Sequence, residues 1–403
     1  MQRSTVISEK PYHFIPPRES GFWRFVMKHS IQPFLRKNAG VESWEICGME
    51  KIRASQQAGH GILMVPNHPR PTDPVALGLF YCKDRLGVRI MASSHLFQQS
   101  RFHRFILPRI GAFSVYREGM DREALKTAID TLVEAASPLV IFAEGVVTRT
   151  NDRLINLQDG VSFIAHNAAK QRAARHAAGG VVAHPVAFRY HFRGDLARTL
   201  TPVLDEIETR LSWHPRSGES LVERIHRIGF ALLALKEIEY FGAPESPDRP
   251  PEQRLSALLD QVLAPLEAEW LKGHREPTTV LRVKALRKAI LPGLIGGELS
   301  EEERHRRWKQ LFDLEVAQQI CHFPPDYLGE NPSAERLIET VERCEEVLGS
   351  ATPKTHGPMH LRIEIGDAIA VPAHRDKRAT DPLMDQIRHG LERLLGIGSA
   401  LDS

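Results

Sequence analysis

Residues 61–83 read GILMVPNHPRPTDPVALGLFYCK, and this stretch decides the fold. GILMVP is a short unbroken apolar run, the pattern of a strand buried on both faces. DPVALGLFYCK has helical patterning, with Asp73 and Pro74 suited to be its cap and first residue. Pro69, Pro71 and Pro74 forbid a helix through the segment between them. The order is therefore strand, loop, helix.

The alternation continues on either side. VRIMAS (88–93), GAFSVY (111–116), PLVIFAEG (138–145) and VVAHPVAF (181–188) read as further buried strands. FHRFILPRI (102–110), MDREALKTAIDTLVEAA (120–136) and VSFIAHNAAKQRAARHA (161–177) read as helices between them. Strand–helix alternation predicts an α/β fold with a largely parallel central sheet flanked by helices. From about Leu200 to Gly349 the text turns to helix after helix, jointed by PESPDRPP (244–251) and HFPPD (322–326). Ser300 with Glu303 reads as a capping box, and Asn331 with Pro332 as a cap and first residue. LRIEIGDAIAVP (361–372) then returns to strand character. The expected organisation is an N-terminal helical segment (1–50), an α/β core (51–200), a long helical insertion (201–355), and a returning strand and helix of the core (356–403). A separate C-terminal α+β domain is the alternative. No repeat period is visible.

Composition narrows the function classes. The 403 residues carry 53 Lys+Arg against 50 Asp+Glu, a net charge of +3, too even for a nucleic-acid partner to be expected. Cys47, Cys82, Cys321 and Cys344 are scattered, which fits a reducing cytoplasm better than a disulfide framework. The first residues, MQRSTVISEKPYHF, lack the apolar core of a signal peptide, and no run approaches the ~18 apolar residues of a membrane span. The 19 histidines show no His-Glu-x-x-His pattern, so no metal is expected; His166, His176, His184 and His191 read as surface or core residues. Walker, Gly-x-Ser-x-Gly and Gly-x-Gly-x-x-Gly motifs are absent too.

His68 and Asp73 carry the chemistry. Five positions on a helix turn through about 140° and would part the two side chains. In a proline-broken loop, His68 can instead fold back onto Asp73. A carboxylate on one ring nitrogen fixes the tautomer and steadies the imidazolium, freeing the other nitrogen to take a proton from a hydroxyl. Downstream stand Gly111 and Arg117, which bracket GAFSVYR. Then come Phe142, Glu144 and Gly145, followed by Thr148 and Arg149, and last His184-Pro185-Val186.

In order and spacing these resemble the four motif blocks of the glycerolipid acyltransferase family over about residues 60–195. Asn67 precedes the His-x4-Asp block as is usual in that family. Three departures from the pattern are Ala143 for the third block's proline, Val146 for its threonine, and Arg149 one residue late. Arg70 stands where a small polar residue is usual. The resemblance implies direct transfer, with His68 as the base and Asp73 holding its imidazole. The donor would be acyl-coenzyme A or an acyl-carrier protein, and the acceptor a glycerophosphate-type lipid, by default 1-acylglycerol-3-phosphate. No cofactor is implied. It further implies substrate-binding roles for Gly111, Arg117, Glu144, Gly145 and Arg149. An acyl-thioester hydrolase and a non-catalytic lipid-binding scaffold are the alternatives. ESGFWRFVMKHSIQPFLRK (19–37) has the composition of an interfacial helix, and VLRVKALRKAILPGLIGG (280–297) is a second candidate. The expected place is the cytoplasm, with peripheral contact to the inner face of the membrane.

Overall fold

The computed structural model of the chain describes residues 11–295, 297, 299–321, 323–324, 326–349, 355–374 and 381–397. The leader reading of residues 1–10, and His322 and Pro325 of the joint at 322–326, lie outside them. The strands are β1 (Val41–Cys47), β2 (Gly61–Pro66), β3 (Arg89–Ser93), β4 (Ala112–Val115), β5 (Leu139–Val140), β6 (Val181–Phe192), β7 (Met359–Ile365) and β8 (Ile369–Val371). The helices before residue 195 are α1 (Gly21–Ala39), α2 (Met49–Gln57), α3 (Asp73–Ala76), α4 (Gly78–Asp84), α5 (Ser94–Gln98), α6 (Arg101–Arg109), α7 (Arg122–Glu134) and α8 (Gly160–Ala174). After it come α9 (Leu196–Arg210), α10 (Leu221–Phe241), α11 (Pro251–Leu271), α12 (Thr279–Ile295), α13 (Glu301–Ile320), α14 (Ala334–Val347) and α15 (Pro382–Leu395).

One unit holds Tyr12–Gly194 and the chain from Gly357 onward; a second holds Asp195–His356. The sequence of the α/β unit is thus interrupted by a helical stretch. Position 50 falls inside α2, position 200 inside α9, and residues 41–47 form a strand.

Among the described residues eight strands form one sheet, ordered β1-β7-β6-β2-β5-β3-β4 with β8 also on β6. β6, β2, β5, β3 and β4 run parallel, whereas β7 and β8 run antiparallel to β6. β2 is buried along its whole length, which is why GILMVP has no polar alternation. Its Leu63 and Val65 share a core with Ala128 and Leu132 of α7, Ile164 and Ala168 of α8, and Ile387 and Leu391 of α15. The parallel strands β2, β4 and β5 therefore all end on one sheet edge, where a doubly covered α/β sheet offers a crevice to ligands.

The expected single strand at 361–372 is two. Pro185 in the middle of β6 has no N–H to offer an antiparallel partner, and the partner strand breaks opposite it, between Ile365 and Ile369. Gly366 N–H donates to the Pro185 carbonyl (2.8 Å), and its own carbonyl accepts from His184 Nδ1 (2.9 Å). His184 Nε2 then accepts from the Ser55 hydroxyl at 2.9 Å. That makes His184 a satisfied core histidine.

The helical unit corrects three readings. Ser300 caps α13 through the Glu303 N–H, but the Glu303 carboxylate goes to Arg306 and Arg307, so the box is half made. α14 is capped by Ser333, two residues beyond Asn331. A repeat also exists. Glu208, Glu237 and Glu267 end successive helices and are each bonded side-on by an arginine at the fourth position of the next helix. The pairs are Arg224 to Glu208 (3.2 and 2.7 Å), Arg254 to Glu237 (2.8 and 2.7 Å) and Arg282 to Glu267 (2.6 and 2.9 Å). The glutamates lie 29 and 30 residues apart, each four residues after a leucine, Leu204, Leu233 or Leu263. Both members of each pair are buried, so each corner's geometry is fixed by a pair that cannot lose one partner cheaply. The pattern hides in sequence because only three positions in about 30, the leucine, the glutamate and the arginine, keep their residue type, and the joints differ in length.

α12, the second interfacial candidate, buries Val283, Leu286, Ile290, Leu291 and Leu294 in this unit, so its apolar face is already covered. No described helix is long and apolar enough to cross a membrane.

Candidate active site

The loop after β2 is held by side chains acting as strand partners. β2 ends at Pro66, and the Asn67 amide replaces the missing backbone, donating to the Phe188 carbonyl (3.1 Å) and accepting from the Phe188 N–H (2.7 Å). Asn151 does the same for Tyr190, at 2.9 and 2.7 Å. Two asparagines thus continue the ladder along β6 where no strand does, leaving its buried backbone groups paired.

His68 follows directly. Its N–H donates to Glu144 Oε1 at 2.7 Å, and its carbonyl accepts from Thr148 N–H at 2.9 Å. Its ring stacks on Phe142, centroids 4.1 Å apart. With the backbone pinned at both ends and one ring face covered, the imidazole has little freedom. Nδ1 lies 2.8 Å from Asp73 Oδ2, while Nε2 makes no hydrogen bond among the described residues. The His68 side chain is 12% exposed and that of Asp73 0%, so a base faces an opening while its partner is dry.

Asp73 does not cap α3, the bland role open to it in sequence. It is the first helical residue, after Thr72. Its carboxylate accepts from His68 Nδ1, from the Arg70 N–H (2.8 Å) and, through Oδ1, from the Tyr190 hydroxyl (2.5 Å). Burial and the Asp73 charge push the Tyr190 phenol far above its ordinary range, so it stays a neutral donor. The Arg70 guanidinium is buried, 5.0 Å from the centre of the Tyr190 ring. Because every partner of Asp73 donates, the carboxylate is held as an acceptor and His68 keeps its proton on Nδ1.

Glu144 is buried, and both of its oxygens are taken by main-chain donors, His68 N–H and Ile155 N–H (3.2 Å). Burial raises its carboxyl to about 7, against those two bonds. Both of its oxygens thus hold main chain in place, one of them at His68. Gly145 beside it turns the chain at φ +71°, and a Cβ there would lie 1.8 Å from the Gln158 amide nitrogen. β5 stops at Val140 for this turn, short of the strand expected through Gly145. Arg117, two residues beyond the end of β4, donates through Nη2 to the Gly145 carbonyl. Arg149 is buried in the same loop at φ +58°, between Thr148, bonded to His68, and Asn151, bonded to Tyr190. Gly111 lies apart, at the other end of β4. Its φ of +108°, and the Val88 carbonyl 2.3 Å from where a Cβ would sit, account for the glycine by backbone fit.

The structure therefore brings His68, Asp73, Glu144, Gly145 and Arg117 to one sheet edge, with Arg149 in the adjoining loop. Sequence reasoning missed Tyr190 and Asn151. Tyr190 stands in a run of strand residues with nothing to mark it, and Asn151 acts only through a backbone that folding brings near.

The arrangement can perform general-base catalysis on a hydroxyl, with Nε2 as the base. Residues 44–189 match the family model described as Acyltransferase, a segment that includes His68, Asp73, Arg117, Glu144, Gly145, Arg149 and Asn151 and stops one residue short of Tyr190. A search of curated proteins finds no match. The family match supports acyl transfer in general as the chemistry of the segment, with an acyl donor and a lipid acceptor as its substrates.

Proposed function

We propose, from the acyltransferase match over residues 44–189, that the protein moves a fatty acyl group from an acyl thioester to the hydroxyl of a glycerophosphate-type lipid. The acceptor we favour is 1-acylglycerol-3-phosphate, with coenzyme A or an acyl-carrier protein as the donor's thiol. The observation that carries this reading is the Nδ1-anchored His68 with its unbonded Nε2 at the carboxyl end of β2. His68 Nε2 takes the proton of the acceptor hydroxyl as its oxygen adds to the thioester carbonyl. The C–S bond then breaks, and the same proton passes from Nε2 to the departing thiolate. Asp73 stabilises the imidazolium between the two steps. Arg117 at the Gly145 loop is the residue we assign to the acceptor's phosphate, by charge-assisted bonds.

A lipid acceptor has to be reached at a bilayer surface. α1 buries Ile31 and Leu35 but leaves Phe22, Phe25 and Phe34 exposed. α6 adds exposed Phe102 and Phe105, with Trp23 edge-on to Phe105 at 5.2 Å. Lys28 lies over Phe25 and Arg109 over Phe105, at 4.4 and 3.6 Å. Exposed rings set among cations suit an anionic membrane surface, and we assign peripheral contact to this face. The test is mass detection of the diacyl product from acyl-coenzyme A and 1-acylglycerol-3-phosphate on anionic vesicles. Free fatty acid as the sole product, whatever the acceptor, would replace transfer with hydrolysis.

A further inference from the structure

β6 pairs with β2 only as far as Val186 and then runs on to Phe192 against β7. Phe188 and Tyr190, two positions apart, share one face of this extension. That face meets Phe142, whose ring centre lies 6.5 Å from that of Phe188, and Asp73, which accepts from the Tyr190 hydroxyl. Tyr190 is fully buried, and its main chain is placed without help from Asp73. Asn151 bonds its N–H and carbonyl at 2.7 and 2.9 Å, and Leu361 of β7 stands opposite it. A strand thus holds the phenol still against the carboxylate that orients His68. We propose that Tyr190 is a positioning residue whose hydroxyl lowers the proton affinity of the His68–Asp73 pair, and so keeps His68 neutral, as a base must be, down to lower pH. The proposal rests on His68 as the base of the acyl transfer proposed above.

The bond from Tyr190 to Asp73 Oδ1 is 2.5 Å long, at the short end of the range of about 2.5–2.7 Å for a hydroxyl on a carboxylate. Bulk water does not reach Asp73, so none takes the place of this donor. The phenol stays a neutral donor through the neutral range, because burial and the Asp73 charge resist its ionisation. Its bond is strongest while Asp73 carries an uncompensated charge, that is, while His68 is neutral. Once the pair takes up a proton, on either group, that charge is offset and the bond weakens. The hydroxyl therefore favours the unprotonated pair, whichever of the two holds the proton. The other charged groups around the pair come from several elements. Arg70 lies buried in the same loop, 5.0 Å from the Tyr190 ring centre. Glu144 and Arg149 belong to the loop after β5, Arg117 follows β4, and Arg388 of α15 reaches the Ile155 carbonyl at 3.0 Å. Tyr190→Phe removes one hydroxyl and alters none of these charges.

The experiment is an NMR titration of the full-length protein, carrying carbon-13 at histidine Cε1, in the absence of substrate. His68→Gln identifies the His68 signal. Tyr190→Phe should raise the midpoint of the His68 titration by about half to one pH unit. Fluorotyrosine placed at position 190, a more acidic donor of nearly the same shape, should lower it. A substitution that merely disturbs packing has no reason to act in opposite directions. The acid limb of kcat/KM for acyl transfer should move with the midpoint in both proteins. Both displacements should persist in a Glu144→Gln background, which removes the neighbouring carboxyl that titrates at about 7. Midpoints that move as expected in a protein without acyl-transfer activity would overturn the function and leave the hold of Tyr190 on the pair standing. An unmoved midpoint in a folded Tyr190→Phe protein, or displacement in the same direction by both substitutions, would overturn the proposal. Should Tyr190→Phe fail to fold, the fluorotyrosine protein decides, and an unmoved or raised midpoint there would overturn it.

Discussion

Replacing Asp73 by asparagine separates two tasks that one carboxylate performs. In general a carboxamide at this place can turn its NH₂ toward the imidazole, force the proton to the other nitrogen and cost about 10⁴-fold in rate. Here the amide has little choice of orientation. Oδ2 accepts from both His68 Nδ1 and the Arg70 N–H, each at 2.8 Å, so an NH₂ group there would face two donors. The amide oxygen must take that position, which leaves NH₂ toward the Tyr190 hydroxyl, and that hydroxyl can rotate to accept. Asp73→Asn should therefore keep the Nδ1–H tautomer of His68 and lose only the negative charge. An adjacent opposite charge is worth roughly 1–3 pKa units to an imidazolium, or about 1.4–4 kcal/mol. The expected loss in kcat/KM is about 10- to 1,000-fold, with the fold intact. The assay is thiol release from acyl-coenzyme A in the presence of 1-acylglycerol-3-phosphate. In the double variant Asp73→Asn/Tyr190→Phe the amide loses its acceptor, and activity should fall further. A loss of 10⁴-fold or more in the single variant would refute the orientation argument, and a loss under about threefold would refute the His68–Asp73 pair as the catalytic machinery.

Three further outcomes follow from particular contacts. Asn151→Ala strips the partners from the buried N–H and carbonyl of Tyr190, which should cost about 2–5 kcal/mol in urea unfolding; a change under about 1 kcal/mol would mean the ladder contributes nothing. Glu144 binds its proton more tightly folded, at about 7, than at its ordinary 4.5. Its contribution to stability is therefore full below pH 4.5 and is lost as pH rises to about 7, about 3 kcal/mol in all. The stability difference between wild type and Glu144→Gln should shrink by that amount from pH 4.5 to pH 8, and a difference that is flat or grows would contradict the burial argument. Glu237→Ala leaves Arg254 buried without its carboxylate and should cost about 3–5 kcal/mol, whereas Glu237→Leu/Arg254→Leu should come within about 1 kcal/mol of wild type or exceed it. Equal losses in both variants would show that the clamp itself stabilises the corner.

The elements legible in sequence were those with a local cause. GILMVP announced a strand buried on both faces, and the prolines after it announced a loop that could bend His68 onto Asp73. The break between β7 and β8 was not legible, because it answers to Pro185 about 180 residues earlier in the chain. Asn331 misled as a helix cap because Ser333, two residues on, is equally competent and wins by position. At the site, the pair that does the chemistry could be read, but the residues that hold it could not. Glu144 was visible as a motif residue, yet its task of binding the His68 N–H is a contact between chain segments 76 positions apart. The Glu–Arg clamps escaped for a similar reason, since a charged pair reads as surface until its burial is known.

We assign to His68 the role of base in an acyl transfer. The most direct measurement is thiol release from acyl-coenzyme A, with and without 1-acylglycerol-3-phosphate, by wild type and by His68→Ala with its fold verified by circular dichroism. Release should require the acceptor and fall by at least about 10²-fold in the variant. Acceptor-dependent release that persists in His68→Ala would contradict it.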